Sequence, residues 1–369
     1  MKKKINIALF FGGQSPEHQV SLLSGQQVID SIDRHRYNPI MIGIDPEGVW
    51  HLLDERKPLE FAYDPEEIRL GKSLGRVVLF KNTLIELETK HAHPIDVAFP
   101  ILHGPMGEDG TIQGLFELAG IPYVGAGVLG SVIGMDKDVM KRLLRDAGIR
   151  VAQFLVVHSH QRHLLSYEKM AKQLSLPLFV KPANAGSSIG ISKVVTPSQF
   201  EEALEKAFAY DRKVVIETFV PGREIECSVI GNENPIVSLP CEIVPRGDFH
   251  SYLSKYIDDD GADFIIPVSL TKEELLDVQK VAIEAYQVLG CEGMARVDLF
   301  LTREKEVVVN EINTIPGLTQ KSPYAKMWEA TGISYPEMLN RLVDLAFERR
   351  EKQQKLKRNF QLNQLGALS

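Results

Sequence analysis

An arginine, two carboxylates and an asparagine stand in two short apolar stretches of the last third of the chain. The stretches read RVDLFL and EVVVNEIN, and they carry Arg296, Asp298, Glu311 and Asn313. Side chains alternate between the two faces of a strand, so Arg296 shares a face with Asp298, and Glu311 shares one with Asn313. If the intervening TREK forms a four-residue hairpin loop, residue 296 pairs with residue 311. That register places all four polar side chains on one face of a β-ribbon.

Two carboxylates and an amide oxygen on one face form an oxygen-rich site. Such a site suits Mg²⁺ that keeps some of its waters and shares phosphate oxygens. It does not suit zinc, because no histidine or cysteine belongs to it. The alternative is a solvated sheet face, which the apolar surroundings of Asp298 and Glu311 disfavour.

A glycine- and serine-rich loop between two predicted strands could hold phosphate. The segment KPANAGSSIGISKV places Lys181 at the base of the loop, with Ser187 and Ser188 in the loop itself. Gly186 and Gly190 allow the backbone to approach a ligand closely, and its amides can bind phosphate oxygens. The P-loop pattern of nucleotide-binding proteins is absent. A plain flexible hairpin loop remains the alternative.

Two further segments could bind other parts of a nucleotide or substrate. In VVIETFVPGREIE, Glu217 and Glu224 flank Phe219 and Val220, so the segment offers apolar faces for an adenine and acceptors for a ribose. In FGGQSPEHQVSLLSG, a glycine-rich turn precedes a helix with Glu17 in its first turn, where a carboxylate can bind an amino group or cap the helix. The dinucleotide fingerprint GxGxxG is absent from this turn.

These segments lie on elements that alternate between strand and helix. INIALFF, YNPIMIGI and IDVAFPIL are predicted strands and PEHQVSLLSGQQVIDSI and GTIQGLFELAG predicted helices, which indicates a parallel sheet covered by helices. Four glycines within residues 125–134 predict a joint, followed by a helix that ends at Gly148. Strands and one helix up to residue 220 indicate a small α+β unit. The last block has strands at ECSVIG and PIVSLPCEIV, and helices at 271–289 and 335–349.

Length and composition limit the class of protein. A chain of 369 residues predicts two or three domains. Its net charge of −7 argues against a dedicated nucleic-acid-binding protein. The start, MKKKINIALFF, lacks the cleavage site of a signal peptide, and no segment has 18 consecutive apolar residues, so we expect no membrane span. Three scattered cysteines fit small buried side chains in a reducing, cytoplasmic setting.

The combination of these motifs resembles the ATP-grasp superfamily, and within it the D-alanine–D-alanine ligases of peptidoglycan synthesis. The resemblance rests on GGQSPEHQVSLLSG, LHGPMGEDGTIQG, KPANAGSSIGISKV and NEINTIPGLT, which occur in this order, and it covers about residues 5–350. It implies a mixed α/β and α+β fold in three ATP-grasp domains, of which the first has a Rossmann-like parallel sheet. The expected ranges are 1–127 for the substrate domain, 128–220 for the central domain, 221–350 for the C-terminal domain and 351–369 for a charged tail. It also implies a cytoplasmic homodimer joined through the first domain.

The resemblance implies a role for each residue of the motifs. ATP would phosphorylate one D-alanine to an acyl phosphate, and the amine of a second D-alanine would attack it. Two Mg²⁺ ions, which Mn²⁺ can replace, would take part. The implied metal ligands are Asp298, Glu311 and Asn313, and the implied ATP-binding residues are Lys137, Lys181, Glu217, Phe219, Val220 and Glu224. Glu17, Ser187, Tyr256, Arg296 and the backbone N–H of Gly317 would serve catalysis, while His103, Lys255 and Ser322 would bind substrate.

A polar segment around residues 246–264 would be the lid of such an enzyme. Lys255 and Tyr256 within it favour a dipeptide over an ester product by resemblance. Three features depart from the family pattern: the lid reads Phe-His-Ser-Tyr from residue 249, Pro323 stands where Leu or Met is common, and Leu318 replaces a common Met.

Four other functions are open at this stage. A ligase for D-lactate or D-serine would differ in its second substrate, and another ATP-grasp ligase would ignore D-alanine. A nucleotide-binding regulator without chemistry would bind ATP without turnover. A nicotinamide-dependent dehydrogenase would use the first glycine-rich turn for a dinucleotide.

Overall fold

The first part of the chain forms a seven-stranded sheet with helices on its two faces. The structure is a computed structural model that describes residues 3–246, 262–319 and 321–357. Its first elements in chain order are β1 (Ile5–Gly12), α1 (His18–Ser31), β2 (Tyr37–Ile44), β3 (Trp50–Leu53), β4 (Leu59–Glu60), β5 (Arg69–Leu70), β6 (Ser73–Phe80), β7 (Thr83–Glu86), β8 (Ala92–Pro94), β9 (Val97–Ile101) and α2 (Thr111–Ala119).

The strands of this sheet follow the order β8-β7-β6-β3-β2-β1-β9. The predicted parallel arrangement is confirmed for β2, β1 and β9, whereas β3, β6, β7 and β8 add an antiparallel extension that the sequence patterns did not predict. Alternate residues of β1 face opposite sides. Phe11 packs towards α1, and Phe10 packs towards Phe116 of α2. The helix α2 ends as predicted at Gly120, which has a φ of +74°.

The middle part forms a four-stranded antiparallel sheet in the order β10-β13-β11-β12, with its own core. The predicted strands and the predicted helix of this unit are confirmed. Its elements, with the two helices that precede it, are α3 (Val128–Met135), α4 (Lys137–Asp146), β10 (Phe154–His158), a 3-10 helix (Ser159–Leu164), α5 (Tyr167–Leu174), β11 (Leu178–Pro182), β12 (Ser192–Val194), α6 (Pro197–Phe208) and β13 (Lys213–Thr218).

The glycine-rich segment is only partly the predicted joint, because its second half is the helix α3. Gly130 and Gly134 lie within this helix. A β-carbon on Gly130 would stand 2.9 Å from the backbone oxygen of Gly290, and one on Gly134 would stand 3.0 Å from the side chain of Thr314. These two glycines therefore allow close packing of α3 against the last part of the chain.

The last part forms an antiparallel sheet in the order β17-β16-β14-β18-β19, with β15 beside β14. The segment PIVSLPCEIV, predicted as one strand, is divided into two strands by residues 238–240. The C-terminal helix continues five residues beyond its predicted end. The elements are β14 (Gly222–Gly231), β15 (Ile236–Val237), β16 (Cys241–Pro245), β17 (Ala262–Ile265), α7 (Lys272–Val288), β18 (Gly293–Thr302), β19 (Val307–Asn313), α8 (Pro323–Ala330) and α9 (Tyr335–Gln354).

The hairpin of β18 and β19 has a different register from the one predicted. Arg296 pairs with Asn313 and Asp298 with Glu311, so the prediction that residue 296 pairs with 311 is wrong. Thr302 and Glu306 bond across a three-residue loop, in which Lys305 has a φ of +64°. The register shifts again beside Asp298. The combined shift is two residues, an even number, so the four polar side chains still share one face as predicted.

Two cores join parts of the chain that are far apart in sequence. Trp328 of α8 and Leu342 of α9 pack in the same core as Leu9 of β1 and Leu22 of α1. Leu144 of α4 packs in a second core with α7, β14, β18 and β19. Both cores contain residues from more than one of the predicted domains, so the predicted domain boundaries stay a prediction. None of the helices in the described ranges combines the length and apolar content needed to cross a membrane.

Arg349 of α9 binds the backbone on both sides of Val124. Its guanidinium donates to the backbone oxygens of Tyr123, at 2.7 Å, and Gly125, at 2.6 Å, and it stacks on the ring of Tyr123. Arg349 is only 4% exposed, so neither carbonyl would readily gain water if the donor were removed.

We expect Arg349→Met to lower the free energy of unfolding by about 3 kcal/mol, because two buried carbonyls lose their donor. Arg341→Ala is the matched control on the same helix. It removes an exposed ion pair with Glu337, which should change the free energy of unfolding by less than about 0.5 kcal/mol. Urea unfolding of both variants measures this difference. Equal losses would contradict the role assigned to Arg349.

Candidate active site

A cavity of about 670 Å³ opens between the face of the β18–β19 hairpin, the N-terminal end of α1 and the loop after β11. It brings together residues that are up to 305 positions apart in the sequence. Of the predicted site residues, the following line it: Glu17, His103, Ser187, Arg296, Glu311, Asn313, Gly317 and Ser322. The other predicted residues in the described ranges do not line it: Asp298, Lys137, Lys181, Glu217, Phe219, Val220 and Glu224.

Arg296 is the centre of the charges at the floor of this cavity. Its guanidinium binds both carboxylate oxygens of Asp298, at 2.7 and 2.8 Å, and lies 3.1 Å from a carboxylate oxygen of Glu226. Asp298 and Glu226 face each other in the pairing of β18 with β14, and both are 3% exposed. Two buried carboxylates at such close range repel each other, so they need a cation between them. Arg296 supplies that charge.

Glu311 and Asn313 continue the oxygen-rich face predicted for a metal. The Glu311 carboxylate lies 3.3 Å from the Lys137 ammonium, and the Asn313 side-chain amide donates to Asp298 at 3.0 Å. Within the described ranges, no cluster of three or more histidine, cysteine, aspartate or glutamate side chains could hold a metal ion. Two carboxylates and an amide oxygen nevertheless fit Mg²⁺ that shares its remaining positions with phosphate and water.

A buried row of charges lies beside this face. Glu217 is positioned between Lys141, at 2.9 Å, and Lys181, with which it forms a close ion pair. Burial alone would raise the pKa of Glu217, but Lys141 and Lys181 lower it to about 2. Burial lowers the pKa of Lys141. Burial acts in the same direction on Lys181, but the charges of Glu217 and Glu311 outweigh it and raise the pKa of Lys181. The row presents Lys181 towards Asn310, whose side-chain oxygen is 3.3 Å away.

Two aromatic rings lie next to this row. Phe179 stands two residues before Lys181 on β11, and the Lys181 ammonium lies 5.9 Å from the centre of its ring. The ring of Phe219 lies 6.1 Å from that of Phe179, and Phe219 is 44% exposed. Val220 is half-buried beside Phe219, and the Glu224 carboxylate helps to raise the pKa of Lys181. Apolar faces therefore stand beside a cation and a carboxylate, as an adenine nucleotide requires.

Glu17 lies at the opposite wall of the cavity. It is the N-cap residue of α1, but its side chain makes no capping hydrogen bond, so the capping alternative is wrong. The Glu17 carboxylate instead accepts a close hydrogen bond from the hydroxyl of Ser187. Ser187 has a φ of +50°, and Lys137 donates to the backbone of the same loop at Ala185, at 2.8 Å. The loop after β11 is thus held from both sides.

The segment after β19 forms the remaining wall. A β-carbon on Gly317 would stand 2.9 Å from the Ser322 hydroxyl oxygen, so only glycine fits there without movement. Ser322 itself bonds to the hydroxyl of Thr319 at 2.7 Å. Pro323, noted above as a departure from the family pattern, is the first residue of α8 and also lines the cavity. Leu318 is fully buried.

Lys255 and Tyr256 lie outside the residues that the structure describes, as do His250 and Ser251 of the predicted lid. Their predicted roles stay predictions. The segment that follows them begins with β17, from which Ala262 and Phe264 line the cavity.

Several residues of the site were missed in the sequence patterns. Glu226 stands two positions after Glu224 on β14, so strand alternation could have shown that the two share a face. Glu108, within the motif LHGPMGEDG, accepts hydrogen bonds from two backbone amides, and burial followed by the charge of Glu17 raises its pKa. Lys141 gave no signal, because a lysine one turn after another on a helix is usually exposed.

The chain resembles known proteins along almost its whole length. It matches the family model "D-ala D-ala ligase N-terminus" over residues 6–126 and "D-ala D-ala ligase C-terminus" over residues 143–344. It is 46% identical over 362 residues to the D-alanine–D-alanine ligase of Oceanobacillus iheyensis, covering 97% of this chain and 98% of that protein. It is 47% identical over 352 residues to D-alanine–D-alanine ligase A of Escherichia coli, covering 94% and 97%.

Solved structures agree with this result. The D-alanine–D-alanine ligase of Coxiella burnetii superposes with a TM-score of 0.83 at 35% identity, covering 99% of both chains. The VanG D-Ala:D-Ser ligase of Enterococcus faecalis superposes with a TM-score of 0.83 at 36% identity, covering 93% of this chain and all of that one. The expected mixed α/β and α+β fold is confirmed, with a first sheet that is mixed rather than purely parallel and with antiparallel sheets after it. The chain therefore belongs to the D-alanine–D-alanine ligase family.

Proposed function

We propose that this protein joins two D-alanine molecules into D-alanyl-D-alanine, a peptidoglycan precursor, at the expense of ATP. The observation that carries the proposal is the shared cavity. It presents Glu17, a carboxylate for an ammonium group, and Arg296, a guanidinium for carboxylate oxygens, beside a row of buried lysines that suits phosphates. A D-amino acid carries both of these groups. Close relatives that are ligases of D-alanine support the substrate.

The reaction requires two steps at one carbon. A carboxylate oxygen of the first D-alanine attacks the γ-phosphorus of ATP, and ADP leaves, which gives D-alanyl phosphate. The neutral amine of the second D-alanine then attacks the acyl carbon, and phosphate leaves after the amine has lost a proton. Glu17, held by Ser187, is positioned to bind the first ammonium. Lys137 and Lys181 neutralise phosphate oxygens, while Glu217, Phe219, Val220 and Glu224 hold adenine and ribose.

The attack on the acyl carbon places negative charge on the carbonyl oxygen. Arg296 and the backbone N–H of Gly317 are the donors that we assign to this oxyanion. Donors fixed before the reaction cost no reorganisation, and one such donor is typically worth about 3–4 kcal/mol in the transition state. Ser322 and Lys255 would hold the carboxylate of the second D-alanine, and His103 lines the same cavity. Tyr256 would close the lid over the acyl phosphate, which water would otherwise hydrolyse.

The side chains of Asp298, Glu311 and Asn313 offer oxygen ligands. Such ligands suit two Mg²⁺ ions, or Mn²⁺ in their place. When bound, these ions neutralise phosphate charge that a cavity rich in carboxylates would repel. The chain's own contribution is to hold the three side chains on one face of a rigid hairpin.

D-Serine is the second candidate for the acceptor substrate. The observation that favours it is the likeness to the D-Ala:D-Ser ligase of Enterococcus faecalis, which is as close in TM-score as the D-alanine–D-alanine ligase of Coxiella burnetii. The higher identity to D-alanine–D-alanine ligases over nearly the whole chain favours D-alanine. The identity of the product decides between them.

We expect phosphate release from ATP with D-alanine but not with L-alanine, and a product with the mass of D-alanyl-D-alanine. Equimolar D-alanine with D-serine or D-lactate should still give mainly the D-alanine dipeptide. A mixed product in excess would assign the other acceptor. No phosphate release with any D-alanine mixture would refute the proposed function.

We expect Glu311→Gln to lower turnover at least about 100-fold at millimolar Mg²⁺, because the charge that binds the metal is lost. Glu306→Gln is the matched control, since Glu306 precedes the same strand and pairs with Arg150 at the surface. It should keep turnover within about twofold. Thermal unfolding of both variants should match the unchanged protein. Near-normal turnover of Glu311→Gln would contradict the metal role.

A homodimer is the assembly that we propose. Its support is a set of exposed apolar side chains on α2 and α3, two helices that contact each other. Leu118 is 91% exposed and Leu129 is 65% exposed, and Leu115 and Val132 are exposed as well. Several exposed apolar side chains on neighbouring helices favour an interface there.

We expect Leu118→Glu to convert the dimer into a monomer, because a charge would be buried in the interface. Leu164→Glu, at a leucine of the 3-10 helix that is 65% exposed, should leave the dimer intact. Sedimentation equilibrium measures both masses. A monomeric unchanged protein, or a dimeric Leu118→Glu variant, would refute this interface.

A further inference from the structure

We infer that Ser24, acting with His103 and Glu108, is a positioning residue that fixes the segment 315–318 and so the oxyanion donor at Gly317. The inference deepens the proposed function and rests on it, since it assigns the groups that hold one of the proposed donors in place. Ser24 lies on α1, and His103 and Glu108 follow β9. The segment that they hold follows β19, about 200 to 300 residues later in the chain.

The positions of the hydrogen atoms between His103, Ser24 and the segment 315–318 follow from which atoms can donate and which can accept. Burial lowers the pKa of His103 to about 4, so its ring is neutral near pH 7. The Nδ1 atom lies 3.0 Å from the backbone oxygen of Ile315, which can only accept, so Nδ1 carries the hydrogen. Nε2 must then accept, and it does so from the Ser24 hydroxyl at 3.0 Å. The Ser24 oxygen in turn accepts from the backbone N–H of Leu318 at 3.4 Å.

This chain of bonds begins and ends on the same short segment. It starts at the N–H of Leu318, passes through Ser24 and His103, and returns to the backbone oxygen of Ile315. Gly317 lies between the two anchored residues, so its N–H cannot change direction freely while both anchors hold. Tyr335 adds a further anchor, since its hydroxyl donates to the backbone oxygen of Leu318.

Glu108 binds the N–H of Ile315 and so connects it to the loop that follows β9. One carboxyl oxygen of Glu108 accepts from the N–H of Ile315 at 3.1 Å, and the other accepts from the N–H of Gly104 at 2.8 Å. Gly104 follows His103 directly. Ile315 therefore has both its N–H and its C=O bound to groups from residues 103–108, which makes it a fixed point two residues before Gly317.

The expected consequence concerns one half of the reaction. The oxyanion develops when the amine attacks the acyl carbon, after ATP has already reacted. A displacement of a donor by about 1 Å can cost about 100-fold in rate. A loosened segment 315–318 should therefore slow formation of the dipeptide and leave ATP binding and the first phosphoryl transfer largely intact.

Ser24→Ala tests this directly. We expect kcat for dipeptide formation to fall about 10- to 100-fold, with the KM for ATP within twofold of the unchanged protein. Positional isotope exchange in labelled ATP, which reports reversible formation of the acyl phosphate, should fall less than threefold. Amide hydrogen exchange of residues 313–319, which needs no substrate, should become at least tenfold faster.

Two further variants control for general damage. Ser24→Cys replaces Ser24→Ala in this test if the alanine variant folds poorly. A thiol has nearly the shape of the hydroxyl but forms only weak hydrogen bonds, so Ser24→Cys should show the same changes in kcat, isotope exchange and hydrogen exchange. Ser238→Ala removes another fully buried hydroxyl that accepts a backbone N–H, that of Ser228, and it should leave the ratio of dipeptide formation to isotope exchange unchanged.

An unchanged kcat, an equal loss of dipeptide formation and isotope exchange, or unchanged hydrogen exchange of the segment would each overturn the inference. Failure of the unchanged protein to make any dipeptide would instead refute the proposed function. The hydrogen exchange of Ser24→Ala would still decide whether Ser24 fixes the segment, so the two failures are distinguishable.

Discussion

The site depends on one charge balance, that of Arg296 with the two buried carboxylates of Glu226 and Asp298. Each of these side chains alone would be costly to bury, and the two carboxylates together would repel each other. The bidentate contact of Arg296 with Asp298 resolves the conflict and fixes the guanidinium towards the cavity. An arginine held in this way is a rigid donor, which is the property that an oxyanion needs. The carboxylates thus position Arg296 for its proposed role in catalysis.

The cavity can be rigid because its walls share cores. Trp328 of α8 and Leu9 of β1 belong to one core, so the segment between β19 and α8 is fixed at both ends. The middle part, with its own core around Phe200, contributes the loop that carries Ser187. That loop meets the rest of the cavity through polar contacts, from Glu17 to Ser187 and from Lys137 to the backbone. Polar contacts of this kind are easier to exchange for contacts with a ligand than a packed apolar surface is.

Strand and helix periodicity predicted most elements correctly, because burial enforces alternation wherever one face packs on a core. The prediction that Arg296 and Glu311 share a face also needed a register, which alternation alone does not give. The assumed register was wrong, because the true one depends on a left-handed Lys305 in a short loop and on an irregularity beside Asp298. The two shifts add up to an even number, so the predicted face is nevertheless correct. Periodicity also missed Lys141 and Ser24, whose partners lie 76 or more residues away. Only the tertiary fold brings such groups together, so no local pattern marks them.

The protonation state of His103 depends in part on the charge of Arg296, and it affects the hydrogen bonds that hold the segment 315–318. Burial, and to a smaller degree the charge of Arg296, disfavours the imidazolium form. A neutral ring has one donor and one acceptor, and the protein uses both, towards Ile315 and Ser24. An imidazolium would have two donors, so Ser24 could no longer donate to it, and the Ser24 hydroxyl hydrogen would need another acceptor. Arg296, the proposed oxyanion donor, therefore also helps to keep His103 neutral, the histidine that we infer to fix the second proposed donor.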